Sequence, residues 1–560
     1  MTASSSPVLE LRCISSLIKV FADCDLDAGS HSRASALSNE TYSFQVAYRS
    51  ERLLKGISVH AEGSLASVIS IRQVGLVPAE MLNYFDHDAH VVRVTPGLYP
   101  DPLYPHKKAE GAVSVPGQWR SVWITVSLDL SVTPGVHPIK IIFTSAQSEE
   151  LAQADFELEV LPGTLPEQQL VHTEWFHADC LATYYNVNVF SDRHWELIDN
   201  YLQTYVRYGG SMILTPLFTL PLDTAPGLDR PTVQLVQVEI TGDNRYRFDF
   251  SLLEKWVELC NRRGIRHFEF SHLFTQWGAK HAPKVIAFEN GEEKKIFGWE
   301  TDSTGEPYKQ FLGQLLPELM EFIRKHRLQD RCYFHISDEP KLEHLAEYES
   351  ASDLMREHLD GLPILDALSA PDFYVKGLVH TPIPPTNHAD DVLPIVEGER
   401  WTYYCCDQYK EVSNRFFSMP SSRNRIIGMQ LYKYEIHGFL HWGFNFWYSQ
   451  FSRKAVDPFK ITDSDYGFPS GDAYLVYPGE DGLPIDSMRL LVFHEGLQDL
   501  RALRLLESLV GREQTVAILE EDLAEPLTFA VYPREDEWLI RCRERINAAI
   551  KSHLPSVSIS

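Results

Sequence analysis

Residues 333–340 read YFHISDEP, an aromatic and apolar run that ends in two adjacent carboxylates and a proline. The apolar part has the length and composition of a buried strand. Pro340 cannot continue a strand ladder and pushes Glu339 toward extended backbone, so the strand is expected to end here. Asp338 and Glu339 then have two readings. Ser337 or Asp338 can cap a helix predicted over 341–358, with Glu339 favourable in its first turn. Alternatively the pair is an acid site at a strand tip, where one carboxyl keeps a proton because its neighbour is charged.

The surrounding pattern bears on the choice. From about residue 170, strand and helix alternate. LVHTEWFHAD (170–179) reads as a strand, and RHWELIDNYLQTYVR (193–207) as an amphipathic helix closed by Gly209 and Gly210. SMILTPLF (211–218) is the next strand, followed by a hairpin insertion over 232–250 around the turn TGDN. Helix 251–262 leads to HFEFSHLF (267–274), and helix 308–326 leads to CYFHIS (332–337). Further strands are PILDALS (363–369), WTYYCC (401–406) and GFLHWGFNF (438–446). This alternation fits a central (β/α)8 barrel over 166–482 better than an open sheet. Barrel enzymes carry their chemistry at the C-terminal ends of the strands, and the carboxylate pair ends the fourth. Neighbouring strand residues face opposite sides, so two can share a site only where the strand stops.

Residues 1–165 read as an N-terminal β-sandwich. TYSFQVAY puts Tyr42, Phe44, Val46 and Tyr48 on one face, and VWITVSL does the same with Val122, Ile124, Val126 and Leu128. PGVHPIKIIF and DFELEVLP continue the pattern, and LPGTLPEQQ (161–169) reads as the linker. Residues 483–560 form a C-terminal helical segment, with helices over 485–508, 512–523 and 535–552, expected to pack on the barrel. The fold class is therefore multidomain.

Composition narrows the partners. With 51 basic and 77 acidic residues, the net charge is −26, which disfavours nucleic acid and anionic membranes. Aromatics reach 12 %, which suits rings stacking on sugars as well as a large core. The eight cysteines form no CxxC pair and are expected as buried free thiols. No basic leader and no run of 18 apolar residues is present, so a cytoplasmic protein is expected. DHDAH (86–90) offers metal-ligand types but lacks helical ligand spacing and reads as a solvated loop. No phosphate-binding glycine motif and no GxSxG occurs, and neither cofactor nor metal is expected.

Paired carboxylates suit glycosidic cleavage: one protonates the leaving oxygen while the other stays charged. A side-by-side pair suits attack by the substrate's own 2-acetamido oxygen.

Several motifs, in order along most of the chain, resemble glycoside hydrolase family 123, the β-N-acetylgalactosaminidases. YPDPLYP (99–105) resembles a loop motif of that family's N-terminal domain, and HISDEP its catalytic strand end. RWTYYCC, IHGFLHWGFNFW, GDAYLVYPG and SMRLLVFHEGLQDL resemble its later motifs, while 232–250 and 277–300 read as insertions. The resemblance implies that Asp338 orients the acetamido group and that Glu339 is the acid and base. It implies a retaining exo-enzyme that releases terminal β-linked N-acetylgalactosamine from a glycan or glycoside; a homo-oligomer is compatible with it. Two other readings stay open. One is a conventional retaining glycosidase with Glu339 as acid/base and a later-strand carboxylate such as Glu435 as nucleophile. The other is a non-catalytic carbohydrate-binding protein.

Candidate sugar contacts are Trp442, Asn445 and Trp447 in GFLHWGFNFW, Tyr404 in WTYYCC, and Asp472 and Tyr474 in GDAYLVYPG. Each is equally readable as core or turn, and alternation forbids all three of the first group from facing one site. His335 and His380 lie near strand ends, where a satisfied core or loop histidine is the competing reading.

Overall fold

The computed structural model describes residues 8–106 and 110–554. The chain forms two compact units, one of residues 1–168, 410–434 and 485–560, the other of residues 169–409 and 435–484.

The first unit begins with ten strands: β1 (Glu10–Ser15), β2 (Arg33–Ser38), β3 (Glu40–Arg49), β4 (Leu54–Glu62), β5 (Ile69–Ala79), β6 (Gly97–Pro105), β7 (Ala112–Ser114), β8 (Arg120–Leu128), β9 (Gly135–Thr144) and β10 (Glu150–Thr164). They make two five-stranded sheets, β1-β3-β8-β5-β6 and β2-β10-β9-β4-β7. Period-two alternation gives each sheet one apolar face, and the two faces share a core. Phe44, Val46, Val122, Ile124 and Val126 come from one sheet; Ile139, Ile141, Phe143, Phe156 and Leu158 come from the other. Phe44 stacks on Phe156 with ring centroids 4.0 Å apart. The linker expected from residue 161 starts later. A register shift between Leu161 and Thr164 carries β10 past Pro162 and Gly163. YPDPLYP is a strand, β6, rather than a loop, and its buried Asp101 accepts two 2.9 Å bonds from Arg489.

The second unit alternates strand and helix. Its elements are β11 (Val171–Glu174), α1 (Ala178–Tyr184), α2 (Asp192–Arg207), β12 (Met212–Thr215), the hairpin β13 (Gln237–Gly242) and β14 (Arg245–Asp249), α3 (Ser251–Arg263) and β15 (His267–Phe270). A second hairpin, β16 (Val285–Glu289) and β17 (Glu292–Phe297), precedes α4 (Glu306–Lys325) and β18 (Cys332–Phe334). Then come α5 (Leu345–Arg356), β19 (Leu365–Ala367), α6 (Asp372–Val375), β20 (Thr381–Ile383), α7 (Ala389–Val392), β21 (Trp401–Tyr403) and β22 (Gly438–His441). Helix α2 starts at Ser191, whose hydroxyl caps the His194 N–H, and α3 stops at Gly264 in the left-handed region at φ 93°. The two hairpins pair with each other, so the two apparent insertions form one four-stranded sheet.

The remaining strands are parallel and short. They pair as β12-β15-β18, β19-β20 and β21-β22-β11. Single parallel bridges, Phe334 to Ile364 and Pro385 to Tyr403, join these groups. The Ser211 N–H donates to the His172 carbonyl at 2.9 Å, next to β11 and β12. The neighbour order thus runs from β11 through β12, β15, β18, β19, β20 and β21 to β22, which pairs with β11 again. Met212, Leu214, Tyr333, Leu365, Ile383, Trp401, Tyr403 and Leu440, contributed by different strands, meet in one core cluster. Strand β20 gave no signal in the sequence, being three residues long with Pro382 at its centre.

The chain's last helices, α8 (Ser421–Arg425), α9 (Ile427–Lys433), α10 (Met488–Val510), α11 (Arg512–Leu519) and α12 (Asp536–His553), belong to the first unit. The C-terminal helices, expected on the barrel, are thus grouped with the two sheets. A buried ion network holds them there. Arg425 donates to both oxygens of Asp499 (2.7 and 3.0 Å), and Arg543 donates to Asp499 (2.8 Å) and to Glu40 of β3 (2.7 Å). Asp88 of DHDAH is similarly an anchor rather than a solvated residue. It accepts two 2.9 Å bonds from Arg423 and the N–H groups of His90 and Glu411. The cysteines are free; Cys24 is exposed and Cys406 half-buried, unlike the other six. Among the described residues, no helix is long and apolar enough to cross a membrane.

Asp499→Asn keeps the shape but leaves two buried guanidinium groups short of a counter-charge. Unfolding followed by circular dichroism should show the first unit destabilised by about 3–5 kcal/mol. A change below about 1 kcal/mol would mean that packing, not the ion network, attaches the helices.

Candidate active site

At the C-terminal ends of the parallel strands lies a cavity of about 920 Å³. Its wall includes Asp338, Glu339, Asp223, Trp277, Tyr403, Asp407 and Trp442. Asp338 and Glu339 follow β18. They do not cap the next α-helix: α5 begins at Leu345 with His344 at its N-cap, and the Ser337 hydroxyl accepts from the N–H groups of Gly278 and Ala279 (3.3 and 3.2 Å). Nor is Glu339 extended, as Pro340 led one to expect. It sits in the left-handed region at φ 44°, a conformation that a non-glycine residue adopts only when its surroundings impose it. Two contacts do so. The Asp338 carbonyl accepts from the Trp277 N–H at 3.0 Å, and Glu339 Oε1 accepts from the Tyr403 hydroxyl at 2.7 Å. The reversal puts two consecutive carboxylates on one cavity.

Beneath the pair is a buried charge system. His335 donates from Nδ1 to Asp366 (2.9 Å) and from Nε2 to Glu269 (2.6 Å). Burial opposes its charge, but the two carboxylates hold its pKa up at about 9, so it is an imidazolium. Glu269 also accepts from Thr173 and from the Trp175 indole, each at 2.7 Å. His272 stacks on His335 at 4.2 Å and is kept neutral by burial. Among the described residues, His272, His335 and Asp366 are the one group with the proximity of a metal site. Their bonding argues against that use, because both His335 nitrogens are donors and have no lone pair to give.

The carboxylates respond to this setting. Burial pushes Asp338 far above the ordinary range, and the Glu339 charge adds to that, against the pull of His335. Burial raises Glu339 as well, opposed by the Tyr403 hydroxyl. The pair therefore retains a proton at neutral pH.

The other predicted residues divide. Trp442 lines the cavity, its indole held by Asp472 at 2.9 Å. Asp472 is thus behind the wall, fully buried, and beside His441. Asn445 is fully buried, and its amide bonds the backbone of His177 in both directions (2.9 and 3.1 Å). Trp447 is core, donating to the Val476 carbonyl, and the Tyr474 hydroxyl donates to Pro458. Tyr404 is core too, packed on Phe439 and His441, while its neighbour Tyr403 faces the cavity. Of the two readings left open for Tyr404, its burial fits the core one. His335 lies under the pair, not in the wall. His380 is exposed just before β20, and Glu435 is exposed, bound to Arg400, before β22. Both occupy the N-terminal ends of their strands, away from the cavity.

Residues that the sequence did not single out complete the site. His177 accepts at Nδ1 from Arg230 (2.9 Å) and donates from Nε2 to the Trp442 carbonyl (2.9 Å). A guanidinium can only donate, so this tautomer is fixed, and burial lowers the pKa to about 3. Asp223 and Trp277 come from loops with no motif. Asp223, Trp277, Ala279, Glu339 and Phe451 all have positive φ, and such clustering of strain marks a functional site.

Comparison with known proteins gives the family. No curated protein sequence matches the chain. Among solved structures, a family 123 glycoside hydrolase from Clostridium perfringens, described in connection with glycolipid glycan hydrolysis, superposes with a TM-score of 0.75 at 16 % identity. That match covers 97 % of this chain and 98 % of the other, and it shows a shared fold. A putative β-galactosidase from Bacteroides fragilis, at 10 % identity over 86 % of this chain and 60 % of that one, reaches only 0.32, too low to compare folds. The sequence profile of the glycoside hydrolase 123 catalytic domain matches residues 175–506, more than half of the chain. The protein belongs to glycoside hydrolase family 123.

Proposed function

We propose that this glycoside hydrolase is a retaining exo-β-N-acetylgalactosaminidase that uses its substrate's 2-acetamido oxygen as nucleophile. We further propose that its cyclic array of parallel strands is the (β/α)8 barrel expected from the sequence. The observation that carries the reading is the left-handed turn at Glu339, which brings two adjacent carboxylates to one cavity. A pair so close cannot straddle a glycosidic bond, as the acid and nucleophile of a conventional retaining enzyme do. It can serve two neighbouring groups of one sugar: the amide at C2 and the leaving oxygen at C1.

In this mechanism the acetamido N–H donates to Asp338, which favours the charged form of that carboxylate and leaves the pair's proton on Glu339. The acetamido oxygen attacks C1 as Glu339 protonates the departing oxygen. Positive charge on the resulting oxazolinium ring meets Asp338 above the His335 imidazolium system. Glu339, now a carboxylate, takes a proton from water as that water opens the ring. Two inversions at C1 leave the β configuration.

Aryl β-glycosides with and without the 2-acetamido group test the reading directly. Cleavage confined to the acetamido sugars, with β product first by NMR, is the expected result. Equal cleavage of both classes would overturn it and move attention to Asp407, a cavity carboxylate after a later strand.

Glu339→Gln should lower kcat on poor leaving groups by about 10²–10⁴-fold and spare dinitrophenyl substrates, which need little protonation. Equal losses on both would remove the acid role. For Asp338→Asn the expected loss is about 10²-fold or more, since a neutral amide cannot offset the oxazolinium charge; wild-type turnover would rule out the assignment.

Tyr403 stabilises charged Glu339, so Tyr403→Phe should raise the pKa of the acid. Glu339 acts protonated, and activity is lost as pH rises through that pKa. The alkaline limb of kcat/KM should therefore move up, by about one pH unit. A downward move would show that Tyr403 supports the protonated form instead.

A further inference from the structure

Three carboxylates of the cavity wall, Asp223, Glu343 and Asp407, have no part in this mechanism, and Asp223 is the one tied down on three sides. Asp223 lies in the segment between β12 and the first hairpin, at φ 40°. Its backbone is tied at both ends: the N–H donates to Gln276 Oε1 at 2.7 Å, and the carbonyl accepts from the Ser452 hydroxyl at 2.7 Å. Of its carboxylate oxygens, Oδ2 accepts from the Phe451 N–H at 2.9 Å. Oδ1 takes no hydrogen bond from any described residue, and no described lysine or arginine forms an ion pair with the group. Three loops thus hold a half-buried acceptor in a strained conformation with one oxygen free on the cavity side. Burial raises its pKa to about 7, against the Phe451 N–H and the more distant charges of Arg230 and Arg453.

Its neighbours narrow what the free oxygen can take. Trp277 and Phe451 stand beside it in a T-shaped pair, centroids 5.9 Å apart, and offer apolar surface to the face of a sugar ring. Asp223 lines the same cavity as Asp338, so a sugar whose C2 substituent meets Asp338 can present a hydroxyl of its C3–C4 side to Asp223. The described wall also carries Asp338, Glu339, Glu343 and Asp407, against Lys341 as its one lysine or arginine.

We propose that Asp223 Oδ1 accepts a hydrogen bond from the C3 or C4 hydroxyl of the terminal sugar, and so restricts the enzyme to neutral, unsubstituted terminal sugars. The inference rests on the sugar orientation adopted above, but its test does not require that the sugar be N-acetylgalactosamine. It uses whichever aryl glycoside the wild type cleaves, with the 3-deoxy, 4-deoxy and 4-O-sulfated forms of the same glycoside.

Asp223→Asn should lower kcat/KM on the parent by about tenfold, in the range for a hydrogen bond to an acceptor that is partly ionised near neutral pH. On the deoxy substrate that lacks the bonded hydroxyl, variant and wild type should agree within about threefold, because the pair of changes is not additive. The sulfated substrate should be at least about tenfold poorer than the parent for the wild type, with a smaller penalty for the variant. A loss of the same size on parent and both deoxy substrates would show a loop anchor only and overturn the proposal. So would a wild type that cleaves both deoxy substrates as well as the parent, a result that stands even if the variant does not fold. If no N-acetylgalactosaminide is cleaved but another glycoside is, the proposed function fails while the test of Asp223 proceeds on that glycoside.

Discussion

A protonated imidazole between two buried carboxylates is the constraint on which the working end of the second unit depends. His335 extends β18, Glu269 belongs to β15 on one side of it, and Asp366 to β19 on the other. One charge therefore pins three adjacent strand ends. Asp366 does more than neutralise it. Beyond Phe334 the ladder stops, and there Asp366 accepts from the Ile336 N–H and from the Tyr348 hydroxyl. The side chain replaces a strand partner, so the backbone can leave the sheet without burying an unpaired N–H group. That release makes the reversal at Glu339 possible. Removing either carboxylate would leave a buried cation short of its partner, the costly half of a buried ion pair.

Much of this architecture was legible in the sequence, for a physical reason. Both periods are strong: residues 42–48 and 122–128 alternate because one face of their sheet meets the apolar face of the other sheet, and the helix at 192–207 repeats its apolar stripe over four turns. The carboxylate pair was legible because a proline fixes where a strand ends. The backbone of Glu339 was not. Pro340 sets a local preference for extended geometry, and contacts from Trp277 and Tyr403, distant in sequence, override it.

The sugar contacts were less legible still. Tyr403 and Tyr404 are chemically identical neighbours, and only the register of a three-residue strand separates wall from core. Asn445 looks like a hydroxyl ligand in sequence, yet the backbone of His177 uses both ends of its amide. Asp223 and Trp277 stand in loops that carry no periodic signal, as residues that meet a ligand often do. The helices at 488–553 were found in the sequence, but their grouping with the two sheets was not. A salt-linked network among Glu40, Arg425, Asp499 and Arg543 spans hundreds of residues, and no local pattern announces it.

The first unit is assembled from three stretches of chain, 1–168, 410–434 and 485–560, with the two stretches of the second unit between them in sequence. During synthesis the ten strands emerge first, but Glu40 and Asp101 must wait for Arg543 and Arg489. Until residues 489 and 543 have been made, Asp101 lacks Arg489, Glu40 lacks Arg543 and the two-sheet core lacks its helices. The second unit, whose stretches end at residue 484, can close earlier. Chain order and folding order are thereby inverted: the N-terminal domain completes last. Loss of Arg489 and Arg543 would be felt in β6 and β3, early in the chain, as surely as in the helices that carry them.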